Sequence, residues 1–448
     1  MLNQFLRSVV EAGHDWLQRD KPQARDIQTL CSDLMQVKGE ATIAALAHDI
    51  VSAYYALDAA ALDAWFDYLL TECDLNPDQV IDAAQAYKES RAPDSLRMLM
   101  QAAEAARQNL FRRINQAQGG TAMLVDMRAK LLAHLKARPE WMCIDLDLRH
   151  LLSSWFNRGF LSIRRIDWQT SASILEKIMQ YESVHKMHGW DDLRRRLADD
   201  RRCYAFFHPA LPHEPLIFVE VALVHGLAGS VDNILSKAAE ITPPDQRDTA
   251  IFYSINDCQA GLRGISFGDF LIKKVVSELQ SEATGIVAFS TLSPLPGFRK
   301  WIAQECAIKD GDNLADAQRE VLLRLETCTS FDDLEPYGPF LKALCAHYLL
   351  EVQEDGKPVD PVARFHLRNG AELNRINWFG DRSDNGFNQS FGLLVNYVYD
   401  VSSIEKNHED YVHHGRIAVS DSVRKLQTTL AGALPETMPK TPREKAEE

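Results

Sequence analysis

Three closely spaced glycines could form a ligand-binding turn: Gly261, Gly264 and Gly268, in the span QAGLRGISFG. Glycine accepts positive φ and lets backbone N–H groups approach a ligand closely. Asp269 follows and can cap a helix, so free amides and the positive end of a helix dipole would meet at this turn. The pattern predicts an anion site that can hold a phosphate. The same glycines also fit an ordinary packed turn, and their spacing alone does not name a ligand.

A hydroxyl group and an imidazole stand in two motifs further along the chain. Ser293 lies in LSPLPGF, where two prolines stiffen the loop, and His366 lies in RFHLRNGA. Histidine titrates near neutral pH and is a common proton donor in enzymes. From residue type alone, a turn or helix cap before Pro294 is the better interpretation of Ser293, and a core position is the better interpretation of His366.

Hydrophobic patterning predicts the elements that hold these residues. Residues 251 to 255 (IFYSI) are typical of a strand, and the apolar positions from Phe270 to Leu279 share one face of a helix. Gly285 ends that helix, and residues 286 to 289 are typical of the next strand, so Ser293 falls on the loop beyond it.

Two more strands are predicted upstream, at residues 202 to 207 and 216 to 223, with the turn HPALPHEP between them. This arrangement favours an antiparallel pair. The charged stretch DDLRRRLADDRR, from Asp191, predicts a helix whose arginines are solvated. A last amphipathic helix is predicted over residues 417 to 433.

The first third of the chain is predicted to be helical throughout. For example, Met123, Leu124, Met127 and Leu131 fall at helical spacing, alanine is abundant, and β-branched runs are absent. The sequence therefore predicts an α+β protein, in which an all-helical bundle precedes a domain built on a mixed sheet.

Composition excludes several classes of function. The chain of 448 residues has 49 lysines and arginines against 63 acidic residues, a net charge of −14 that argues against nonspecific binding to nucleic acid or an anionic membrane. Its eight cysteines show no metal-binding spacing and suit a reducing compartment. With no apolar run of membrane length, no signal-peptide pattern and no peroxisomal tripeptide, we expect a cytoplasmic protein without a metal.

Five ordered motifs resemble the malonyl-CoA decarboxylase family and cover roughly the last two thirds of the chain: HPALPHEPLIFVEVAL, GLRGISFGDFLIKKVV, FSTLSPLPGF, ARFHLRNGA and RINWFGDRSDNGFNQSFGLLVNYVY. The resemblance implies a helical domain over residues 1 to 155 that serves oligomer assembly. It implies a catalytic domain of the N-acetyltransferase (GNAT) type over residues 156 to 434, which binds acyl-CoA between two splayed strands. Residues 435 to 448 are expected to be a disordered tail, and the family suggests a homotetramer.

The implied reaction converts malonyl-CoA to acetyl-CoA and CO₂. Loss of CO₂ leaves a thioester enolate, and the thioester carbonyl is itself the electron sink, so no cofactor is expected. The protein must stabilise the enolate oxygen and deliver a proton to carbon. The resemblance makes Ser293 the proton acceptor and His366 the proton donor, and Tyr399 is a further candidate that could bond the substrate carboxylate or the serine.

The glycine turn aligns with the family's malonyl-CoA-binding turn. Asn377 could bind the thioester oxygen, although a structural hydrogen bond is at least as good an interpretation of it and of Tyr399. Some relatives carry glutamate where this chain has Ser266, so no catalytic carboxylate is available there. The expected turn residues are Arg263, Gly264, Ile265, Ser266, Phe267, Gly268 and Asp269.

Because CoA is a polyanion, its site must be locally basic. Basic residues lie in or beside the central stretch, and most are expected to be simple surface charges: Arg263, Lys273, Lys274, Arg299 and Lys300.

Two other functions fit the same sequence. The predicted cleft also suits an acyltransferase that passes an acyl group from CoA to an amine or a carrier thiol. A noncatalytic acyl-CoA sensor, with the helical domain as its interaction part, is the third hypothesis. Release of CO₂ without an added acceptor would separate the decarboxylase from both.

Overall fold

The computed structural model describes residues 26–265, 270–283, 285–307 and 316–434. The chain divides into two compact units. The first unit is drawn from Met1–Ser162, Phe207–Leu216 and Asp257–Phe267, and the second from Ile163–Phe206, Ile217–Asn256 and Gly268–Glu448. The predicted tail, residues 435 to 448, lies outside the described residues.

The first unit is built from helices, as the sequence predicts. Met123, Leu124, Met127 and Leu131 are all buried, which confirms the stripe that their spacing indicates. A short 3₁₀ turn, Ala260–Leu262, also belongs to this unit. The longer helices are α1 Ile27–Gln36, α2 Glu40–Tyr55, α3 Ala59–Thr71, α4 Pro77–Ser90, α5 Pro93–Ala102, α6 Ala106–Ile114, α7 Gly120–His134 and α8 Met142–Trp155.

The second unit carries a seven-stranded mixed sheet with the order β1-β2-β3-β4-β5-β9-β8, and β6 and β7 form a separate two-stranded hairpin. The α+β prediction is therefore confirmed. The strands are β1 Ser162–Ile166, β2 Arg201–Phe207, β3 Ile217–Val224, β4 Thr249–Asp257, β5 Ala288–Thr291, β6 Gln353–Glu354, β7 Lys357–Pro358, β8 Glu372–Asn377 and β9 Leu394–Val398.

Strand pairing follows the sequence closely around the predicted hairpin. β2 and β3 are antiparallel, with Arg201 opposite Ala222 and Phe206 opposite Ile217, as predicted. β4 and β5 are parallel neighbours that pair from Thr249 opposite Ala288 to Phe252 opposite Thr291. Beyond that point β4 continues to Asp257, whereas β5 has ended.

The helices of the second unit lie between and after these strands. The final helix is shorter than the predicted span of residues 417 to 433, because Ser420 caps it and a separate 3₁₀ turn, Leu430–Gly432, follows it. The helices are α9 Ala172–Tyr181, α10 Trp190–Arg196, α11 Asp232–Leu235, α12 Phe270–Glu282, α13 Phe298–Ala307, α14 Asp316–Leu325, α15 Phe331–Leu334, α16 Gly338–Leu350, α17 Pro361–Arg368, α18 Asp384–Ser390, α19 Ile404–His414 and α20 Asp421–Thr428.

The expectation of solvated arginines in α10 is wrong for two of them. Arg195 and Arg196 are buried, where they pair with Asp200 and Glu220 respectively. Arg194, by contrast, is exposed as expected. Buried charges need partners of opposite sign, and these two carboxylates lie at positions that helical spacing within α10 does not reveal.

Across the described part of the chain, no helix combines the length and apolar character that crossing a membrane requires.

Candidate active site

Three buried side chains of the second unit form a continuous hydrogen-bonded chain. Ser293 Oγ lies 3.0 Å from His366 Nε2, and His366 Nδ1 lies 2.7 Å from the Tyr399 hydroxyl. The exposed fractions are 5% for Ser293, 3% for His366 and 2% for Tyr399. The structure thus brings together the three residues named as catalytic candidates, although 73 residues separate the serine from the histidine.

Ser293 is held by the sheet beyond the end of β5. Its N–H donates to the Val395 carbonyl at 2.8 Å, and its own carbonyl accepts from the Val395 N–H at 2.9 Å. One residue earlier, the Leu292 N–H donates to the Phe252 carbonyl at 2.9 Å. The segment is therefore a bridge to β9 rather than the simple loop that the sequence suggests, and this pairing fixes the direction of the hydroxyl group.

His366 is placed by the short helix α17. Asp360 caps the helix, since its Oδ1 accepts hydrogen bonds from the N–H groups of Val362 and Ala363. Pro361 follows at the first helical position, where its fixed φ suits a helix start. After the helix, Gly370 has φ +82°, and a Cβ there would lie 2.0 Å from the Ile404 carbonyl oxygen. Only glycine fits this position, so the RNGA motif sets how the chain leaves the histidine.

Burial determines the protonation states of the Tyr399 phenol and the His366 imidazole. It raises the pKa of Tyr399 well above its usual value, so the phenol keeps its proton. It lowers the pKa of His366 to about 3, so the imidazole is neutral near neutral pH. A neutral imidazole carries one N–H and one acceptor nitrogen. The site therefore holds no charge on these groups before substrate arrives.

The hydrogen bonds of this chain run in one direction. Ser293 Oγ donates its single O–H to Thr291 Oγ1, so it accepts from His366 Nε2. The single ring proton of the neutral imidazole therefore lies on Nε2, and the unprotonated Nδ1 accepts from the Tyr399 phenol. In a hydrolase triad a carboxylate accepts from Nδ1–H, and the histidine takes the serine proton. Here the histidine instead presents an N–H toward the serine.

Thr291 is a member of this chain that sequence reasoning missed. Ser293 Oγ donates to Thr291 Oγ1 at 2.8 Å, and Thr291 Oγ1 also accepts from the Tyr397 N–H at 3.1 Å. The Tyr397 ring stacks on the His366 ring with centroids 4.7 Å apart. Strand alternation carries a signal for this arrangement, because residues two apart share a face.

Asn377 is not brought together with these residues. Its amide nitrogen donates to Asn396 Oδ1 at 2.8 Å and to the Leu394 carbonyl at 3.4 Å. Leu394 and Asn396 alternate along β9 with Tyr397, so they point to the opposite face of the sheet. The amide is engaged in a structural hydrogen bond, which is the second of the two interpretations that the sequence left open.

The glycine-bearing turn is described as far as Ile265. Gly264 has φ +77°, and a Cβ built there would meet no atom within 4 Å. The Arg263 side chain is exposed, and Ile265 is buried. The remaining predicted turn residues lie outside the described part of the chain: Ser266, Phe267, Gly268 and Asp269.

Two of the predicted basic residues near the turn are engaged on the surface. Lys273 pairs with Glu405 at 2.6 Å, and Lys274 pairs with Glu278 at 3.0 Å. Surface ion pairs of this kind are ordinary features. Within the described residues, no group of three or more His, Cys, Asp or Glu side chains is arranged to hold a metal ion.

A helical unit, a mixed-sheet unit and a buried Ser–His–Tyr chain define the class of protein. This is an α+β protein whose buried site is arranged for proton transfer.

The comparisons with known proteins narrow this class to a family. The malonyl-CoA decarboxylase C-terminal domain matches residues 159–440, and the N-terminal domain of the same family matches residues 74–156. Among curated relatives, the mitochondrial malonyl-CoA decarboxylase of Anser anser anser is 37% identical over 70% of this chain and 68% of its own length. The enzyme of Rattus norvegicus is 35% identical over 71% of this chain and 70% of its own length.

Solved structures of malonyl-CoA decarboxylases are similar to this chain in fold and sequence. The crystal structure of malonyl-CoA decarboxylase from Rhodopseudomonas palustris has a TM-score of 0.85 and 45% identity, and covers 90% of this chain and 100% of its own. That from Agrobacterium vitis has a TM-score of 0.84 and 44% identity at the same coverage. The chain belongs to the malonyl-CoA decarboxylase family.

Proposed function

We propose that this protein is a carboxy-lyase that converts malonyl-CoA to acetyl-CoA and CO₂. The observation that carries the proposal is the one-directional chain from Tyr399 through His366 to Ser293, in which the imidazole presents a proton instead of an acceptor. Decarboxylation needs a proton donor at carbon, whereas acyl transfer needs a base for the attacking nucleophile. Membership of the malonyl-CoA decarboxylase family supports the same choice.

The reaction balances without a cofactor. The bond between the α-carbon and the carboxylate breaks, its electron pair moves into the thioester as an enolate, and CO₂ leaves. One proton is then added to the α-carbon to give the acetyl group. The overall change is malonyl-CoA plus one proton to acetyl-CoA plus CO₂, and solvent supplies the proton consumed in each turnover.

In this proposal His366 gives its Nε2 proton to the enolate carbon. The Tyr399 hydroxyl gives its proton to Nδ1 as the ring loses the other, so the imidazole stays neutral and the negative charge of the enolate passes to the phenolate. Solvent then restores the phenol. Ser293 Oγ accepts the Nε2–H before substrate binds, and it orients the carboxylate afterwards.

The substrate is held elsewhere on the chain. We assign the CoA pyrophosphate to the turn from Arg263 to Asp269, where Gly264 leaves the backbone open to close approach. Residues 156 to 434 form the catalytic domain of GNAT type in this proposal, and residues 1 to 155 serve assembly. The pairing of β4 with β5 ends at Phe252, and this end of the pairing supports an acyl-CoA cleft beyond that point.

We propose a homotetramer in the cytoplasm, with neither nucleic acid nor membrane as a partner. The described cysteines are reduced thiols, which suits a reducing compartment. The goose and rat relatives are named as mitochondrial, so import of labelled protein into mitochondria is the assay that would overturn a cytoplasmic location.

The test is release of labelled CO₂ from malonyl-CoA labelled in its free carboxylate. The purified protein is incubated with a chelator and without any amine or thiol acceptor. We expect saturable CO₂ release with a stoichiometric yield of acetyl-CoA. Loss of the malonyl group only when an acceptor is added would establish an acyltransferase, and binding without turnover would establish a sensor.

A further inference from the structure

The glycine-bearing turn packs directly on helix α7 within the first compact unit. A Cβ at Gly261 would lie 1.8 Å from the Val125 carbonyl oxygen, so any larger residue would push the turn away from the helix. Arg128 lies three residues after Val125, on the same face of α7. One guanidinium nitrogen of Arg128, Nη1, donates to the carbonyls of Gly261 at 2.7 Å and Arg263 at 2.9 Å.

The guanidinium is itself fixed in place. Arg128 is buried, and its Nε donates to Asp145 Oδ1 on α8 at 2.7 Å. The planar guanidinium fork holds its donors in a rigid arrangement. Two helices of the first unit thus hold one guanidinium group rigidly against two carbonyls of the turn, those of Gly261 and Arg263.

Holding the Arg263 carbonyl also directs the next backbone amide. The peptide bond is planar and trans, so the Gly264 N–H points opposite to the Arg263 carbonyl. The Gly264 N–H makes no hydrogen bond with any other residue that the structure describes. With its carbonyl end anchored by Arg128, this N–H faces away from α7 and is free for a ligand.

We propose that Arg128 is a positioning residue for substrate binding: through the carbonyls of Gly261 and Arg263, it fixes the turn so that the Gly264 N–H meets a phosphate of CoA. The proposal rests on the function proposed above, which assigns this turn to malonyl-CoA. Arg128 does not touch the substrate, and its effect is on affinity rather than on the chemical step.

This changes the role of the helical unit. The described part of the turn lies within residues 159–440, which match the family's C-terminal domain. It nevertheless belongs to the same compact unit as the helices that precede that domain. The helices therefore supply part of the substrate site, in addition to any role in assembly. A truncated protein that begins at residue 159, where the match to the C-terminal domain begins, would lack Arg128 and its contacts with the turn.

Arg107 offers a matched control. It is also buried in the first unit, and it pairs with Asp147 on α8 and with Asp74. Its further backbone contact is the Leu69 carbonyl, far from the turn in sequence. Replacing either arginine removes a buried ion pair, but only Arg128 holds the turn.

The experiment compares Arg128→Met with Arg107→Met in the full-length protein. Three quantities are measured: KM and kcat for malonyl-CoA, the Kd for CoA by calorimetry without turnover, and Tm. We expect Arg128→Met to raise KM and the Kd for CoA by about tenfold and to leave kcat within about twofold. We expect Arg107→Met to lower Tm and leave KM and Kd unchanged.

Equal increases in KM for the two variants would overturn the proposal, because loss of a buried ion pair would then explain them. If Arg128→Met does not fold, Arg128→Lys takes its place, since one ammonium cannot span Asp145 and both carbonyls. An unchanged KM and Kd in Arg128→Lys would also contradict the proposal. Absence of CO₂ release by the wild-type protein would overturn the proposed function alone, because the Kd for CoA still reports on the turn.

Discussion

The glycine turn and the Ser–His–Tyr chain differ in what each would offer a substrate. The turn would offer backbone, since a Cβ at Gly264 would meet no atom within 4 Å. The Ser–His–Tyr chain would offer side chains, each held by a partner from a separate element. One region depends on a local conformation, and the other depends on contacts across the fold.

This difference predicts which property, substrate affinity or turnover, a mutation in each region changes. Changes in the turn should alter affinity, because a phosphate bound far from the reacting carbon is held equally in the ground state and the transition state. Changes in the chain should alter turnover, because a proton is needed only as carbon accepts it.

Replacing His366 or Ser293 by alanine should lower kcat by about 100-fold or more, as for loss of a general acid or its partner, with a small change in KM. Steady-state CO₂ release from labelled malonyl-CoA measures both constants. A wild-type kcat for purified His366→Ala would remove this residue as the proton donor.

The buried histidine should also make the fold sensitive to acid. Its folded pKa is lowered to about 3 from an ordinary value of 6.5, so below pH 6.5 the unfolded chain takes up a proton that the folded protein does not. Stability is therefore retained above about pH 6.5 and falls as pH decreases, by about 2 kcal/mol near pH 5 for this group.

The measurement is urea unfolding of the wild type and of His366→Asn across this pH range. The free energy of unfolding of each protein is expressed relative to its own value at neutral pH. Comparing the two curves then cancels the contribution of the other titrating groups. The stability of His366→Asn should fall less steeply with acid than that of the wild type. Parallel curves would mean that His366 is not held neutral by burial.

Gly264→Val should raise KM by about tenfold and leave kcat nearly unchanged, because it adds a side chain where a phosphate approaches and strains a positive φ. The control is Gly356→Val, since Gly356 has φ +73° and also has open space around it, in the turn between β6 and β7. If Gly264→Val behaves like its control in KM, the turn is not part of the binding site.

Asn377→Ala should have the smallest effect on catalysis, within about twofold in kcat, because its amide bonds Asn396 on the other face of the sheet. Some loss of Tm is expected from the broken hydrogen bond. A large fall in kcat with an unchanged Tm would return Asn377 to the catalytic group.

Local patterning predicted much of the fold. The buried stripe on α7 and the β2–β3 hairpin follow from spacings of a few residues, which hydrophobic periodicity reports directly. The predicted strand at residues 286 to 289 begins two residues later, at Ala288, because pairing with β4 sets its register. Element boundaries thus depend on partners that a local pattern does not contain.

The same limit explains what was missed at the two sites. Arg128 bonds a carbonyl 133 residues away, and nothing in its helix distinguishes it from Arg107. Thr291 could have been found, because it lies two residues before Ser293 and shares its face in an extended segment. Ser293 and His366 were identified through their motifs, whereas the direction of their hydrogen bond required the position of Thr291.

The position of the proton on the His366 ring tests most directly the proposal that His366 is the proton donor. Nitrogen-15 chemical shifts of labelled histidine, assigned by comparison with His366→Asn, distinguish the two neutral tautomers and the charged ring. We expect a proton on Nε2 and an unprotonated Nδ1, with no change from neutral pH down to about pH 5. A proton on Nδ1, or a ring that becomes charged near pH 6.5, would contradict it.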